Sequence, residues 1–228
     1  MKYQVVSRDE WNAAREELLQ REKEHTHASD ALAAARRRLP MTPMEPVTVA
    51  GPKGQVPLQE VFEGRKMLIV YHFMWKQGAP HHKQCEGCTH SQAAMTAAVS
   101  AYLAARDVTY AVFSSGPLEE IIAYRDFMGW TMPWYSTAHS GEALATRDGG
   151  DLRCYLQTDD QVFQSYETKW RGIEAMMPSL QLLDLTPYGR QETWEETSEI
   201  IQLDEAGSWW RRDGRPVAQW TRTDEPVK

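Results

Sequence analysis

Two cysteines three positions apart, Cys85 and Cys88, are the residues of this sequence whose types and spacing most directly indicate chemistry. The apolar run from Met67 to Met74 precedes them and has the composition of a buried strand, while the segment from Thr89 to Arg106 carries apolar residues at helical spacing. We therefore predict that the Cys-Glu-Gly-Cys motif lies between a strand and the start of a helix. In that position two thiols can exchange electrons as a pair.

A helix start predicts different roles for the two thiols. Unpaired N–H groups and the positive end of the helix dipole stabilise a thiolate there, so Cys85 is the expected nucleophile that attacks a substrate disulfide. Cys88, one turn into the helix, is expected to be the more buried thiol and to resolve the mixed disulfide. The charge of Glu86 opposes the thiolate, whereas a cationic His81 or His82 would favour it.

The same stretch has a second interpretation, because five side chains that can bind zinc fall within ten residues: His81, His82, Cys85, Cys88 and His90. Structural zinc usually joins two separated pairs of ligands, so an adventitious or regulatory ion fits this cluster better than a structural one. A third interpretation is a pair of incidental thiols, since one CxxC is a weak motif without its structural context. Redox chemistry with no bound cofactor is the leading hypothesis, and zinc is the alternative.

Composition and charge restrict the partners and the compartment. The 228 residues carry 25 Lys and Arg against 32 Asp and Glu, a formal charge of -7, and no long basic run, so nucleic acid is not an expected partner. The N-terminus becomes charged before a signal peptide could develop, and no stretch suits a membrane span, so we expect a cytoplasmic protein with no membrane partner. The third cysteine, Cys154, is interpreted as a small buried residue of a strand.

The ends of the chain differ in pattern from its middle. Residues 1–46 are predicted to be an N-terminal helical extension and linker, in which a capping box at Ser7 and Glu10 begins one helix and a second helix runs from Ala28 to Leu39. Residues 191–228 form a charged, Trp-rich tail. Such exposed aromatic residues favour docking or self-association, so a homodimer is among the expected partners; they are Trp209, Trp210 and Trp220.

Residues 47–190 are predicted to be the main α/β domain. A second buried strand follows the CxxC helix, and Gly129 ends the next helix. Alternation of strand and helix is typical of a parallel sheet, and a later hairpin around a polar turn adds an antiparallel edge. The expected elements after the motif are a strand at Val108–Phe113, a helix from Glu119, hairpin strands at Leu152–Leu156 and Val162–Tyr166, and helical residues from Gly172 toward Leu185.

This order of elements, with CxxC after the first central strand, resembles the thioredoxin fold, a central mixed sheet flanked by helices. At the level of motifs the chain resembles a bacterial thioredoxin-like family, the domain-of-unknown-function family eight-nine-nine, whose members are described as dithiol-disulfide isomerase-like. The resemblance implies a thiol-disulfide oxidoreductase that acts on a disulfide-containing protein or a small thiol. The motifs that carry it are Tyr71–Met74, Ser115–Glu119, Ala123–Arg125, Met128–Trp130, Pro133–Trp134, Val162–Phe163, Tyr166, Arg171–Gly172, Leu182–Pro187 and Gly189–Glu192.

A peroxidase is a further alternative, because peroxiredoxins share this fold and place a reactive cysteine at the same helix start. Their Pro-x-x-x-Thr/Ser-x-x-Cys pattern is absent here: His82 stands three positions before Cys85, and the nearest upstream proline, Pro80, stands five before it. Peroxide reduction is therefore the less favoured enzymatic hypothesis.

Aromatic residues after the second main-domain helix offer a substrate groove. Trp130, Pro133 and Trp134 follow a strand-connecting helix, and loops at strand ends of α/β sheets gather ligands. The alternative is that these side chains cover the edge of the core. His72, inside the apolar strand, is interpreted as a core histidine that hydrogen-bonds to the backbone.

Overall fold

The structure is a computed structural model that describes residues 4–146, 150–159, 161–192, 194–195 and 210–222. None of the helices in these ranges combines the length and apolar character that crossing a membrane requires. Trp209, one of the tryptophans of the predicted tail, lies outside the described residues.

Helices and strands alternate through the middle of the chain. The helices are α1 (Arg8–Arg37), α2 (Leu58–Val61), α3 (Glu86–Ala93), α4 (Ala97–Ala104), α5 (Leu118–Met128) and α6 (Pro178–Leu183), with short 3-10 turns between some of them. The strands are β1 (Thr42–Pro43), β2 (Thr48–Gly51), β3 (Gly54–Pro57), β4 (Met67–Phe73), β5 (Val108–Ser114), β6 (Trp134–Ser136), β7 (Asp151–Gln157), β8 (Val162–Thr168), β9 (Arg211–Arg212) and β10 (Arg215–Pro216).

Strands β4, β5, β7 and β8 form the centre of the main sheet. β4 pairs in parallel with β5 and antiparallel with β7, and β7 and β8 form the predicted hairpin. The apolar sequences of β4 and β5 fit this central place, because helices and loops cover both faces of the two strands. This arrangement confirms the predicted thioredoxin-like fold with a mixed sheet.

Within the described residues the main sheet has eight strands, in the order β1-β8-β7-β4-β5-β6-β2-β3. Residues 44–47 join β1, at one end of this order, to β2, six strands away. Five chain steps reach about 18 Å, whereas six strand spacings of about 4.8 Å would cover about 29 Å in a flat sheet. The sheet must therefore be strongly curled, so that its two ends approach each other.

Two apolar clusters lie on opposite faces of the sheet. One cluster, on the face of α3 and α5, contains Tyr71, Phe73 and Trp134 and includes both cysteines of the motif. The other lies within the curl, where Leu68 and Phe113 pack with residues of the 44–58 segment. The thiols therefore belong to the first cluster, beneath the helices.

Helix α1 differs in part from the prediction. Its capping box is confirmed, since Ser7 Oγ accepts a hydrogen bond from the N–H of Glu10 and the Glu10 carboxylate accepts one from the N–H of Ser7. The predicted division into two helices is wrong, because one helix continues to Arg37. Between Arg21 and Ala28 no proline or glycine interrupts the series, and the four charged residues at 21–24 are good helix formers.

The segment after the motif is also divided differently. We predicted one helix from Thr89 to Arg106, but α3 ends at Ala93 and a new helix begins at Ala97. Thr96 takes an extended conformation, and its side chain accepts a hydrogen bond from the N–H of Val99, so it acts as the N-cap of α4. The short α3 carries the thiols, and α4 covers β5.

Candidate thiol site

Cys85 is the N-cap residue of α3, at the helix start that the sequence predicted. Its backbone is extended, and its Sγ accepts a hydrogen bond from the N–H of Cys88 at 3.2 Å. The carbonyl of Cys85 accepts hydrogen bonds from the N–H and the hydroxyl of Thr89, at 3.0 and 2.7 Å. Cys85, Cys88 and Cys154 are all free thiols in the structure.

These contacts lower the pKa of Cys85. The largest influence is a hydrogen bond with the Cys88 thiol, and the backbone N–H groups of Cys88 and Gly87 lower the pKa further. Burial and the negative charge of Glu86 act in the opposite direction without reversing the shift. Cys85 is thus the thiol of the pair that ionises first.

Cys88 has the opposite character. It is only 1% exposed, against 7% for Cys85, which agrees with the expected order of burial. Burial is the largest influence and raises the pKa of Cys88 well above its ordinary value, and the neighbouring Cys85 adds to this shift. The Sγ of Cys88 accepts a hydrogen bond from the N–H of Met74 at 3.4 Å, so the end of β4 holds it in place.

Tyr71 lies beneath the pair and was not predicted as a site residue. Its side chain is fully buried, and its hydroxyl makes no hydrogen bond of normal geometry within the described part of the chain. Burial, and next the charge of an ionised Cys88, raise the pKa of Tyr71 well above its ordinary value. The hydroxyl therefore lies beside the Cys88 thiol.

The charge of Glu86 is balanced by Arg211, from the far end of the chain. Nη2 of Arg211 donates to the Glu86 carboxylate at 3.0 Å and to the carbonyl of Gln84 at 2.8 Å. Burial raises the pKa of Glu86, but the hydrogen bonds from its own backbone and from Arg211 outweigh burial, so the net pKa is lowered. Glu86 is consequently ionised at neutral pH with a cation directly beside it.

Residues 210–222 pack across the start of α3, and we call them the C-terminal segment. Arg211 also donates to the carbonyl of His82 at 2.5 Å, and the Gln219 amide donates to the carbonyl of His81 at 2.9 Å and to the Tyr124 hydroxyl at 2.7 Å. The ring of Trp210 lies 3.9 Å from the point where a Cβ on Gly87 would be. The segment therefore covers the backbone on both sides of Cys85.

The loop before the motif is held by one buried amide. Gln84 is fully buried, and its side chain accepts from the N–H of Lys76 and donates to the carbonyls of Lys76 and Ala79, all at 2.9–3.0 Å. An amide can satisfy donors and acceptors at once, which suits a buried loop whose backbone groups lack partners in a helix or sheet. Gln84 thus fixes the position from which Cys85 enters the helix.

The histidines of the alternative zinc site are not brought together. The ring of His81 packs against Phe127 at 4.7 Å and Tyr124 at 5.2 Å, and His90 contacts the Ser179 hydroxyl at 2.5 Å. Within the described ranges, no group of three or more His, Cys, Asp or Glu side chains could hold a metal ion. Packing against aromatic residues places these rings away from the thiols, which is why the predicted cluster does not form.

His81 gives no cationic support to the thiolate either. Burial lowers the pKa of His81, and the same cause lowers the pKa of His90. His90 instead lines a cavity of about 340 Å³ together with Pro178, Ser179 and Trp210. Of the charge effects expected on Cys85, the structure shows the one from Glu86, whose negative charge raises the pKa of Cys85.

Of the residues predicted to line a substrate groove, Trp134 belongs to the core, while Trp130 and Pro133 are half-buried. Trp134 is fully buried on β6, and the ring of Trp130 stacks on it with centroids 5.7 Å apart. The carbonyl of Pro133 accepts from the N–H of Val112 and so continues the sheet. Trp134 is covered by Phe73 and Tyr124, which leaves it no surface for a substrate in this conformation.

Two residues on β4 and β7 depart from expectation. His72 is buried as predicted, but its Nε2 makes no hydrogen bond in the described structure, and burial lowers its pKa to about 3. Cys154 lies on the predicted strand but is half-buried, and burial still raises its pKa to about 11.

At the start of β7, Gly150 takes a left-handed φ of 67°, and its N–H donates to the carbonyl of His72 at 2.8 Å.

A family model and several solved structures match this chain. The model, of a bacterial protein of unknown function (DUF899), matches residues 1–215. No protein with a curated description is significantly similar in sequence.

The similar solved structures share little sequence identity with the chain. A hypothetical protein from Sinorhizobium meliloti 1021 is 16% identical over 54% of this chain and 67% of its own, with a TM-score of 0.39. A proposed protein disulfide isomerase from Bacteroides thetaiotaomicron is 21% identical over 64% and 87%, with a TM-score of 0.38. Peroxiredoxin Q from Xanthomonas campestris is 13% identical over 60% and 90%, with a TM-score of 0.37. Similarities at this level carry no functional argument.

Proposed function

Because this chain belongs to the bacterial DUF899 family of unknown function, we propose for it a function drawn from its own site: thiol-disulfide exchange by Cys85 and Cys88. The observation that carries the proposal is the hydrogen bond from the N–H of Cys88 to Sγ of Cys85, at the start of a helix. It supports an ionised Cys85 beside a protonated Cys88, which is the state from which a dithiol attacks.

The proposed reaction has two steps. The thiolate of Cys85 attacks one sulfur of a substrate disulfide, so that a mixed disulfide forms and the other substrate sulfur leaves as a thiolate. Cys88 then loses its proton and attacks Sγ of Cys85, which releases the second substrate thiol and leaves a Cys85–Cys88 disulfide. Two electrons pass to the substrate, and an external dithiol must return two electrons to the protein.

The buried position of Cys88 suits the resolving role. A thiol with a strongly raised pKa does not compete for the first attack, and it becomes a better nucleophile only when the mixed disulfide has removed the negative charge at Cys85. The buried Tyr71 hydroxyl lies beside it and could then donate to the developing thiolate.

An assay of protein-disulfide reduction with an excess of small dithiol tests the proposal. We expect turnover above the uncatalysed rate with the natural sequence and none above it with Cys85→Ser. In a separate incubation without the small dithiol, Cys88→Ser should hold a mixed disulfide that mass spectrometry detects. Cys154→Ser is the matched control and should turn over like the natural sequence. If the fully folded protein neither turns over nor forms a Cys85–Cys88 disulfide on mild oxidation, the proposal is wrong.

A further inference from the structure

We propose that helix α1 pairs with α1 of a second copy of this chain in an antiparallel arrangement, and that this pairing makes the protein a homodimer. The inference starts from the exposure of α1. The helix has 30 residues, a length of about 45 Å, and none of them is buried. Arg15, Leu19, Ala33 and Ala34 are half-buried, but the side of α1 that carries Trp11, Leu18 and Leu32 is left exposed. An isolated helix in water gains little stability from propensity alone and usually depends on packing of an apolar face.

Large apolar side chains recur along α1 at intervals of seven. Trp11, Leu18 and Leu32 are 50%, 46% and 54% exposed, and His25 completes the series. Three positions after each of them stands a second series, which is made up of Ala14, Arg21, Ala28 and Ala35. A repeat of seven with residues at its first and fourth positions is the pattern by which two helices pack along a common seam.

The sizes of these side chains favour an antiparallel pair. When Leu18 lies opposite the partner's Ala28, the same register places Trp11 opposite the partner's Ala35. Each large side chain then meets a small one, as close packing requires. A parallel pair would instead set Trp11 against the partner's Trp11 and alanine against alanine, which leaves gaps.

Charge favours the same direction. Residues 8–24 carry six acidic and four basic side chains, whereas residues 25–38 carry one acidic and three basic ones. The antiparallel register brings Asp9 and Glu10 beside the partner's Arg36 and Arg37, while a parallel pair would bring like charges together. The acidic first turn and basic last turn also stabilise each helix through its dipole, but that effect does not depend on the direction of pairing.

Two equivalent polar pairs lie at the middle of the seam. In the proposed register Arg21 lies opposite the partner's His25, and His25 lies opposite the partner's Arg21. Polar residues within an apolar seam are a known means of fixing the register and number of helices, at some cost in stability. The pairing does not depend on the thiol chemistry, so either proposal can fail alone.

Light scattering coupled to gel filtration of the full chain tests the pairing. We expect twice the mass of one chain over a concentration series. Leu18→Lys should shift the mass to that of one chain, and Gln20→Lys, on the opposite side of the helix, should leave the dimer intact. A single-chain mass for the natural sequence at every concentration would refute the proposal.

A disulfide scan tests the register. In a chain with Cys85→Ser, Cys88→Ser and Cys154→Ser, the pair Leu18→Cys and Ala28→Cys should give covalent dimers on oxidation, because a disulfide needs the two Cα atoms within about 7 Å. The control pair Gln20→Cys and Thr26→Cys lies at the same level along the helices but on the outer side, and should give few. Equal yields of covalent dimer from the two cysteine pairs, or no covalent dimer from Leu18→Cys and Ala28→Cys, would overturn the antiparallel dimer.

Discussion

The backbone N–H of Cys88 donates a hydrogen bond to Sγ of Cys85 across 3.2 Å, and this contact joins the two thiols to one helix start. It favours the ionised form of Cys85 in the reduced protein, while burial keeps Cys88 protonated. The two residues are therefore unequal before any substrate arrives.

The first prediction concerns the reactivity of Cys85. Because its pKa is lowered and burial raises the pKa of Cys154 to about 11, iodoacetamide at pH 7 should modify Cys85 at least about tenfold faster than Cys154. Glu86→Gln should move the midpoint of the Cys85 pH profile lower, since it removes an opposing charge. Peptide mass spectrometry after timed alkylation measures both. Equal rates at the two cysteines would contradict the assignment of Cys85 as nucleophile.

The second prediction concerns the C-terminal segment. Arg211→Ala should have two separable effects on the alkylation of Cys85. The midpoint should move to higher pH, because Glu86 loses its compensating cation, and the plateau rate at high pH should rise a few-fold, because the cover over the 7% exposed Cys85 loosens. A stopped-flow pH series records both.

Arg212→Ala is the matched control, since Arg212 is exposed and contacts the ring of Trp220 rather than Glu86. The loss of the Arg211–Glu86 pair should cost the folded state no more than about 1 kcal/mol, because both side chains are partly exposed. A plateau rate that stays at the natural value would show that the C-terminal segment does not limit access.

The third prediction uses the buried His72. Its folded-state pKa of about 3 lies below its ordinary value of 6.5, so the unfolded chain binds more protons and stability falls as the pH falls through that interval. Between pH 7.5 and pH 5 this loss should be about 2 kcal/mol from His72 alone. Urea denaturation of the natural sequence and of His72→Leu at both pH values measures it. The free energy of unfolding of the variant should change less between the two pH values. An equal change in both proteins would contradict a neutral, buried His72.

The fourth prediction compares two glycines. A Cβ on Gly116 would lie 2.3 Å from the Trp75 ring and 2.8 Å from Ile121, so Gly116→Ala should destabilise the protein by about 1–3 kcal/mol. At Gly87 the nearest atoms are 3.9 Å away, and Gly87→Ala within α3 should be neutral or slightly stabilising. Thermal unfolding compares the two. A Gly116→Ala protein as stable as Gly87→Ala would mean that Trp75 can move without cost.

Local signals in the sequence predicted the central elements well. The apolar run at Met67–Phe73 became β4, and Gly129, with a left-handed φ of 65°, ends α5 as expected. The place of the CxxC motif between a strand and a helix start was also predicted, because an apolar strand precedes the motif and a helical pattern follows it. Such features depend on residues that are close to each other in the sequence.

Contacts between distant residues could not be predicted in the same way. Arg211 meets Glu86 across 125 positions, and a single sequence has no signal for that pair. The same limitation explains why a zinc site was considered. His81 and His90 are close to Cys85 in the sequence, but in the structure their rings pack against Tyr124 and Trp210. Trp134 was misjudged as a possible groove residue because exposure depends on what covers it.

The curl of the sheet affects two processes: strand addition by other chains at the sheet edges, and folding of the protein during its synthesis. Its outermost strands are β1, two residues long, and β3, four residues long and ending in Pro57, so little free backbone remains for a foreign strand to extend. Thr42 pairs with Gln164, which a ribosome adds more than a hundred residues later. Closure of the sheet must therefore wait until most of the chain has been synthesised, and until then the apolar interior of the curl stays open to the surrounding water.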